Sequence, residues 1–216
     1  MTSRVISKKR VADHGEVLTG LREVNAMLGL VQTETERIDS RFLEPACGNG
    51  NFLAEILQRK LIIAEKRYGN SQLEYERNAV LAVSSIYGID ILEDNVHQCR
   101  DRLEDIFEVR YSTLFRGSTK PKCLNAVRVI LGRNIIWGDA LTLRTVGANP
   151  RHIVFSEWSP VNGSLLKRRD FTFQGLLAHE DTRELPLFSD LGDDVFIPAP
   201  EREYAPVNFL ELADAG

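Results

Sequence analysis

Cysteine and long apolar runs are scarce in this sequence, and each scarcity excludes a class of protein. The only cysteines are Cys47, Cys99 and Cys123, and no two of them have the spacing of metal ligands. So few cysteines, odd in number, favour a reduced, cytoplasmic compartment. The longest apolar runs, such as 61–64 and 135–137, are far shorter than the roughly 20 residues of a membrane span. No membrane association is expected.

Charge of one sign is not in excess either, and histidine is rare. The net charge of −4 argues against a protein that coats nucleic acid by bulk electrostatics, although a local basic face remains possible. The 4 histidines are scattered and form no zinc pattern, so no metal is predicted. With 43% hydrophobic and 27% charged residues, the composition is that of an ordinary globular protein.

Helical and strand-like patterns alternate through residue 160. A helix is predicted over 13–31, followed by a strand over 41–44, a glycine turn and a helix that buries Phe52, Leu57 and Leu61. A polar stretch over 66–78 precedes the remaining elements. These are helices over 79–85, 91–106 and 123–131, and strands over 86–90, 134–139 and 152–156. Such alternation predicts an α/β fold, a doubly wound, mostly parallel sheet with helices on both faces.

Acidic residues close the predicted strands. Glu44, Asp90 and Asp139 end the first three strands, and Ser156-Glu157 ends the fourth. In parallel α/β sheets the ligand lies beyond the carboxyl ends of the strands. We therefore expect these side chains to converge on one crevice.

The turn Cys47-Gly48-Asn49-Gly50 joins the first strand to the helix after it. Its glycines permit backbone angles and a close ligand approach that a side chain would block, and the strand–turn–helix context strengthens this interpretation. A dinucleotide fingerprint would place a third glycine where Leu53 stands, which disfavours a nicotinamide-dependent oxidoreductase. Asp90 can accept hydrogen bonds from both hydroxyls of a ribose. It can also cap the following helix, and the two roles are compatible.

Four stretches in this order resemble the class I S-adenosylmethionine-dependent methyltransferases, specifically the adenine-specific DNA methyltransferases of restriction-modification systems. The resemblance covers about residues 13–160. The stretch 15–20 looks like the family's N-terminal motif, whose threonine (here Thr19) helps to hold the methionine carboxylate, with Gly20 in place of a proline. The stretch 44–52 is similar to the first sheet motif, usually Asp/Glu-Pro-Ala-x-Gly-x-Gly-x-Phe.

The other two stretches resemble the second and third motifs of the same family. Asp90 corresponds to the acid that binds ribose, and Ile89 and Ile91 to residues that flank the adenine ring. Asp139 corresponds to the acid that accepts from the adenine amino group, or it simply ends a strand in a turn. The resemblance implies a Rossmann-like sheet and an S-adenosyl-L-methionine cofactor. The implied cofactor contacts are Thr19, Glu44, Pro45, Ala46, Gly48, Gly50, Asn51, Phe52, Asp90, Ile91, Asp139 and Ala140.

The catalytic motif of the family departs from its usual form in this chain. Where the family has Asp/Asn/Ser-Pro-Pro-Tyr/Phe, this sequence has Ser156-Glu157-Trp158-Ser159-Pro160. The family motif accepts hydrogen bonds from the amino group of a flipped adenine and stacks a ring on the base. Glu157 is then the candidate acceptor and Trp158 the stacking ring, or Ser159-Pro160 is a displaced remnant. Alternatively, Trp158 is a core aromatic residue and Glu157 a solvated acid.

Residues 161–216 differ in composition and pattern from the methyltransferase-like domain predicted over 1–160. They contain the basic cluster Lys167-Arg168-Arg169 and, from Leu185 onward, an extended proline-containing tail that we expect to pack on the domain or on a partner. The cluster contacts DNA phosphates or forms a solvated face. Because fewer residues follow than a target-recognition domain needs, a protein partner or a homo-oligomer is expected to supply sequence-specific reading of DNA.

The predicted function is therefore methyl transfer to the exocyclic amino group of adenine in DNA, within a restriction-modification or phage-defence system. The alternative is a catalytically inactive subunit that binds S-adenosylmethionine and has a structural or regulatory role in such a complex. The altered stretch 156–160 motivates the alternative.

Overall fold

The central sheet has four strands in the order β1-β2-β3-β4. A computed structural model of the chain describes residues 19–183 and 199–214, and for residues 179–183 it describes the backbone only. Strands β1, β2 and β3 are parallel, and β4 pairs antiparallel with β3. Their bounds are Phe42–Glu44 for β1, Ile86–Asp90 for β2, Ile135–Asp139 for β3 and Arg144–Thr145 for β4.

Helices connect the parallel strands and bury one face of the sheet. The helices are α1 (Leu21–Leu30), α2 (Gln32–Thr35), α3 (Asn51–Tyr68), α4 (Gln72–Ser84), α5 (Glu93–Leu114), α6 (Pro121–Asn134) and α7 (Phe173–Arg183). On β2, Gly88 allows α3 to approach closely, since an added Cβ would lie 2.9 Å from Cδ1 of Leu53. Leu57 and Leu61 are fully buried, as their helical spacing predicts, and so is Leu53, whereas Phe52 is half-buried.

A second, antiparallel sheet and α7 cover part of the opposite face. Strand β5 (Val154–Pro160) pairs with β6 (Leu165–Thr172), and β6 also pairs with the short strands β7 (Arg202–Glu203) and β8 (Val207–Asn208). The two sheets meet through aromatic rings. Phe155 lies 5.4 Å from Tyr87 of β2 and 5.6 Å from Phe173 of α7, between ring centroids.

Strand β5 runs across the face of the central sheet from its carboxyl edge to its amino edge. At the beginning of β5, Ile153 lies against Gly138, near the end of β3. At the other end, the indole N–H of Trp158 donates to Oδ1 of Asn134, which precedes β3, at 3.4 Å. β5 is therefore antiparallel to the strands it covers, and it pairs with β6 instead of extending the central sheet.

The predicted α/β class and the mostly parallel sheet are confirmed. The doubly wound Rossmann-like arrangement is not confirmed, because the fourth predicted strand lies outside the parallel sheet. Within the described residues, each helix lacks the length or the apolar character needed to cross a membrane.

Two elements were not predicted from the sequence. The polar stretch 66–78 is mostly helical: α3 continues to Tyr68, and α4 begins at Gln72 after the hydroxyl of Ser71 accepts from the N–H of Glu74 at 3.5 Å. Charged and amide side chains are good helix formers, so their polarity alone does not indicate a loop. The basic stretch 162–170, for which the sequence pattern predicts no strand, contains most of β6.

Residues 199–214 pack on the domain. They supply β7, β8 and a 3-10 turn over Phe209–Glu211, while residues 184–198 of the predicted tail lie outside the described residues. Phe209 is 1% exposed and belongs to the same core cluster as Trp158 and Leu166. This end of the chain is therefore bound into the core that also contains α3 to α6.

Candidate functional site

The glycine turn lies at the carboxyl end of β1 and leads directly into α3. Gly48 has a φ of 52° and Gly50 a φ of 83°, both in the left-handed region that glycine tolerates best. A Cβ on Gly50 would lie 2.7 Å from Sγ of Cys99, so α5 packs tightly under the turn. The N–H of Cys47 donates to the carbonyl of Ile89 at 2.9 Å, which fixes the start of the turn to β2.

Asp90 ends β2, and its carboxylate holds the glycine turn. Oδ2 accepts from the N–H of Gly48 at 2.8 Å, and Oδ1 accepts from the N–H of Leu92 at 2.9 Å and from Nδ2 of Asn95 at 3.2 Å. Asp90 is 8% exposed. The sequence predicted a ribose contact or a helix cap; the structure adds a direct link to the turn, and the ribose contact stays a prediction.

Glu44 and Asp139 close the two strands on either side of Asp90. The pKa of Glu44 is raised, because the effect of burial is larger than that of the hydrogen bond from the N–H of Ala46, which lowers the pKa. The carboxylate of Asp139 accepts from the N–H of Leu141 at 2.9 Å and from the hydroxyl of Thr142 at 3.0 Å, and these bonds lower its pKa. Asp139 therefore does end β3 in a turn, while its carboxylate stays ionised at neutral pH.

Thr19 is brought to the glycine turn through Asn51, the first residue of α3. Nδ2 of Asn51 donates to the carbonyl of Thr19 at 2.9 Å, and its Oδ1 accepts from Nη1 of Arg102 at 2.6 Å. Arg102 is not among the site residues predicted from the sequence. The available signal is its position on α5 three residues after Cys99, which places both residues on the face toward the turn.

The remaining predicted cofactor residues lie along the same edge. Pro45 and Ala46 are exposed at the end of β1, and Ile91 is 52% exposed after β2. Ala140 is half-buried after β3, and Phe52 is half-buried at the start of α3. The structure therefore brings all of the predicted cofactor contacts to the carboxyl edge of the central sheet.

This edge suits binding of a cation better than nucleophilic chemistry. Glu44, Asp90 and Asp139 are three carboxylates at neighbouring strand ends, and they give the edge a negative potential. The hydrogen bond with the thiol of Cys99, together with burial, raises the pKa of Cys47, so its thiol stays protonated. Among the described residues, no three His, Cys, Asp or Glu side chains form a group that could hold a metal ion.

The predicted catalytic residues Glu157, Trp158, Ser159 and Pro160 lie at the opposite, amino edge of the sheet. Glu157 forms an ion pair with Arg41, which precedes β1, and a second one with Arg169 at 2.7 Å. Trp158 is 5% exposed and packs in the core. The structure thus does not bring these residues to the glycine turn, because β5 crosses the sheet in the antiparallel direction. The expectation that Ser156-Glu157 joins the carboxyl-edge crevice was wrong.

Each residue of the basic cluster 167–169 has an acidic partner. Lys167 pairs with Glu203 at 2.7 Å, Arg168 with Asp170 at 2.6 Å, and Arg169 with Glu157 at 2.7 Å. Arg168 also stacks on the ring of Tyr204, with its guanidinium carbon 4.0 Å from the ring centroid. The cluster binds β5 and the residues after 199 to β6, which leaves little net charge for DNA phosphates.

The sequence contains a signal for the hairpin of β5 and β6. Asn162-Gly163 lies between β5 and β6, and an Asn-Gly pair between two apolar runs is the strongest short-range indicator of a β-hairpin. The N–H of Leu165 donates to the carbonyl of Asn162 at 3.0 Å, which puts Gly163 at the first central position of the turn, and its φ of 55° is one that glycine tolerates best. This signal would have paired the fourth strand with the basic segment and removed it from the parallel sheet.

No known family matches this chain, and neither a curated protein nor a solved structure is significantly similar to it.

Proposed function

We propose that this chain is a methyltransferase-like protein that binds S-adenosyl-L-methionine at the carboxyl edge of its central sheet. One observation carries the proposal: the acid at the end of β2 holds the N–H of Gly48 at 2.8 Å, in a left-handed glycine turn between β1 and α3. This is the arrangement in which parallel α/β sheets bind nucleosides. Three neighbouring carboxylates favour a cofactor that carries a sulfonium and an ammonium charge.

Asn49 gives further support at the same turn. Its side-chain oxygen is buried and accepts no hydrogen bond from any described residue. An unpaired buried acceptor is costly, and a donor on a bound ligand would satisfy it. The ammonium group and the ribose hydroxyls of the cofactor are such donors. By the same proposal, the three parallel strands and their helices are one half of a Rossmann-like sheet.

Of the two methyltransferase-related functions, the geometry favours the subunit without catalytic turnover. Glu157 is engaged by two arginines, and Trp158 is a buried core residue at the amino edge, away from the glycine turn. An acceptor for the adenine amino group is needed near the sulfonium methyl group, at the other edge. We therefore propose a cofactor-binding subunit of a cytoplasmic restriction-modification or defence complex, acting with DNA and a protein partner.

The second candidate is the active adenine-specific DNA methyltransferase. The order of the four sequence stretches along the chain favours it. In this case a partner protein supplies the hydrogen-bond acceptor and the stacking ring at the carboxyl edge. The methyl carbon would break its bond to the cofactor sulfur, which keeps the electron pair, and would form a bond to the adenine nitrogen, whose amino group would release one proton to water.

Cofactor binding is tested by titration calorimetry with S-adenosylmethionine on the wild type, on Asp90→Ala and on Asp105→Ala. Asp105 is exposed on α5 and serves as the matched control. We expect Asp90→Ala to weaken binding by about tenfold or more, because a charge-assisted contact and the clamp on Gly48 are lost together, and Asp105→Ala to leave binding unchanged. Circular dichroism verifies that both variants are folded. A wild type that binds no cofactor would refute the proposal.

The two candidates are separated by transfer of a labelled methyl group to duplex DNA, with and without the proteins encoded beside this chain. If the chain is the active enzyme, transfer appears when the partner is present and is lost in Asp90→Ala, whereas Glu157→Gln retains it because Glu157 lies at the other edge. If the chain is a binding subunit, no transfer appears even with the partner present, although the wild type binds the cofactor.

A further inference from the structure

A cavity of about 440 Å³ opens at the amino edge of the central sheet, on the side away from the glycine turn. It lies between the residues that precede β1 and β2 and the end of β5. Ser84, Ser85, Trp158 and Ser159 form part of its wall. Its volume is in the range of ligand pockets in proteins, about 300–1,000 Å³. We infer that this cavity binds a small phosphorylated molecule, with the phosphate held by Arg37, Arg41 and Arg67.

Charge is the first argument for this ligand. The cavity is lined by three arginines and one carboxylate, that of Asp39, in a chain whose net charge is −4. Arg41 shares the carboxylate of Glu157 with Arg169, so two guanidinium groups face one acid. A planar guanidinium group matches the oxygens of a phosphate and can bind two of them at once.

Availability of these arginines is the second argument. No ion pair or hydrogen bond to another described residue engages the side chain of Arg67, which is exposed at the end of α3. Arg37 is 59% exposed and pairs with Glu34 and Asp39 only at 3.7 Å and 3.5 Å. Exposed pairs at such distances contribute little stability, so a phosphate can replace them at low cost.

The shape of the site indicates a ligand with an apolar body attached to the phosphate. A second cavity of about 280 Å³ adjoins the first, and both are lined by Tyr68, Asn78, Leu81 and Pro160. Its far end is formed by apolar residues of the hairpin and tail, among them Leu166 and Phe209. The groove therefore has a basic end and a largely apolar end, a combination that suits a nucleoside phosphate.

A long nucleic acid fits this surface less well than a small ligand. Phosphate backbones bind to broad rows of unpaired cations. The basic residues of the neighbouring strand β6, Lys167, Arg168 and Arg169, are each paired with an acid. The positive charge of the site is thus that of three arginines around one cavity, and not of a continuous row along the surface.

The test is calorimetric titration of the full chain with adenosine 5′-monophosphate, inorganic pyrophosphate and adenosine. We expect at least one phosphorylated probe to bind, with an affinity that depends on the cavity arginines. Uncharged adenosine is expected to bind at least about tenfold more weakly than the phosphorylated probe, because it makes no contacts with the guanidinium groups. Arg41→Gln combined with Arg67→Gln is expected to reduce the affinity for the phosphorylated probe by about tenfold or more. Arg116→Gln, in the exposed turn between α5 and α6, is the matched control and should change nothing.

Two competition experiments, one with S-adenosylmethionine and one with a short DNA duplex, identify the site that the phosphorylated probe occupies. Saturating S-adenosylmethionine is expected to leave phosphate binding unchanged, since the glycine turn lies at the other edge. Displacement by the cofactor would show that the nucleotide occupies the carboxyl edge and would overturn the inference. It would also be overturned if neither phosphorylated probe binds, if the arginine variants bind normally, or if a short DNA duplex competes more strongly than the nucleotide. The outcomes with the phosphorylated probes, the arginine variants and the DNA duplex do not depend on whether the cofactor itself binds.

Discussion

Gly50 carries the strongest steric demand in the glycine turn. Its φ of 83° is unfavourable for residues with a side chain, and an added Cβ would lie 2.7 Å from the buried sulfur of Cys99. The clash is with a core side chain that has no room to move, since Cys99 is 0% exposed. The turn therefore depends on glycine both for its backbone angle and for its packing on α5.

We predict that Gly50→Ala lowers the free energy of unfolding by about 2–4 kcal/mol, from backbone strain and overpacking together. The matched control is Gly132→Ala in α6, where an added Cβ meets nothing within 4 Å. This control should be neutral or stabilising by about 0.5–1 kcal/mol, because alanine favours helices. Urea denaturation measures both variants, and equal losses would show that the turn has no special steric requirement.

Lys60 is the second residue whose environment leads to a prediction. Its side chain is 0% exposed, and burial lowers its pKa to about 7. The ammonium group donates to the carbonyls of Ile38 and Ser40 and to the hydroxyl of Ser85. These contacts bind the segment before β1 to α3 and to the start of β2.

The lowered pKa makes stability depend on pH. Between about pH 7 and the unfolded value of about 10.4, the unfolded chain binds more protons than the folded chain, so the contribution of Lys60 to stability rises with pH. Below about pH 7 both states are protonated, and this dependence ends. We predict that the difference in unfolding free energy between wild type and Lys60→Met changes by about 1 kcal/mol per pH unit from pH 7 to pH 9.

Urea titrations at several pH values measure this difference, and the comparison cancels the contributions of the cysteine thiols. Lys66→Met, at an exposed position of the same helix, is the control and should show no such slope. A pH-independent difference for Lys60→Met would mean that the three oxygen acceptors hold the ammonium form as strongly as water does.

Among the elements, the antiparallel sheet holds residues 199–214 on the domain. β6 is its centre: it pairs with β5 along seven residues and with β7 and β8 on its other side. The 3-10 turn after β8 begins where the side chain of Asn208 accepts from the N–H of Leu210 at 3.0 Å. It places the ring of Phe209 in the core beside α6.

We predict that Phe209→Ala destabilises the protein by about 3–5 kcal/mol, since a fully buried ring is replaced by a cavity. Val161→Ala, at a position of the same hairpin that is 55% exposed, should cost less than about 1 kcal/mol. Thermal and urea denaturation are the measurements. A small effect of Phe209→Ala would show that residues 199–214 are not part of the cooperative unit.

At the scale of the whole molecule, the two edges of the central sheet differ in charge and in form. The carboxyl edge carries three carboxylates and a bare glycine turn, whereas the amino edge carries a cavity with three arginines. The edges are separated by the length of the strands, roughly 15 Å for five residues. Because opposite charges attract different ligands, we expect a cationic cofactor and an anionic ligand to bind at the same time.

Much of this organisation was predictable because it is local in the sequence. The alternation of helices and strands placed β2 at 86–90 and β3 within one residue of its observed start. The predicted cofactor residues came together because parallel neighbouring strands necessarily end at the same edge. The helical stretch 72–78 was missed because polar composition resembles that of a loop when no apolar stripe is visible.

The sequence by itself determined the glycine turn, since glycines at 48 and 50 allow backbone angles that depend on little beyond those residues. Only the tertiary structure decided where the fourth strand goes. Its direction is set by contacts between residues far apart in the chain, namely Phe155 on Tyr87 and Trp158 on Asn134. If β5 were a parallel strand of the central sheet, residues 157–160 would lie at the carboxyl edge, where the predicted catalytic group is needed. Because β5 runs antiparallel to that sheet, they lie at the amino edge.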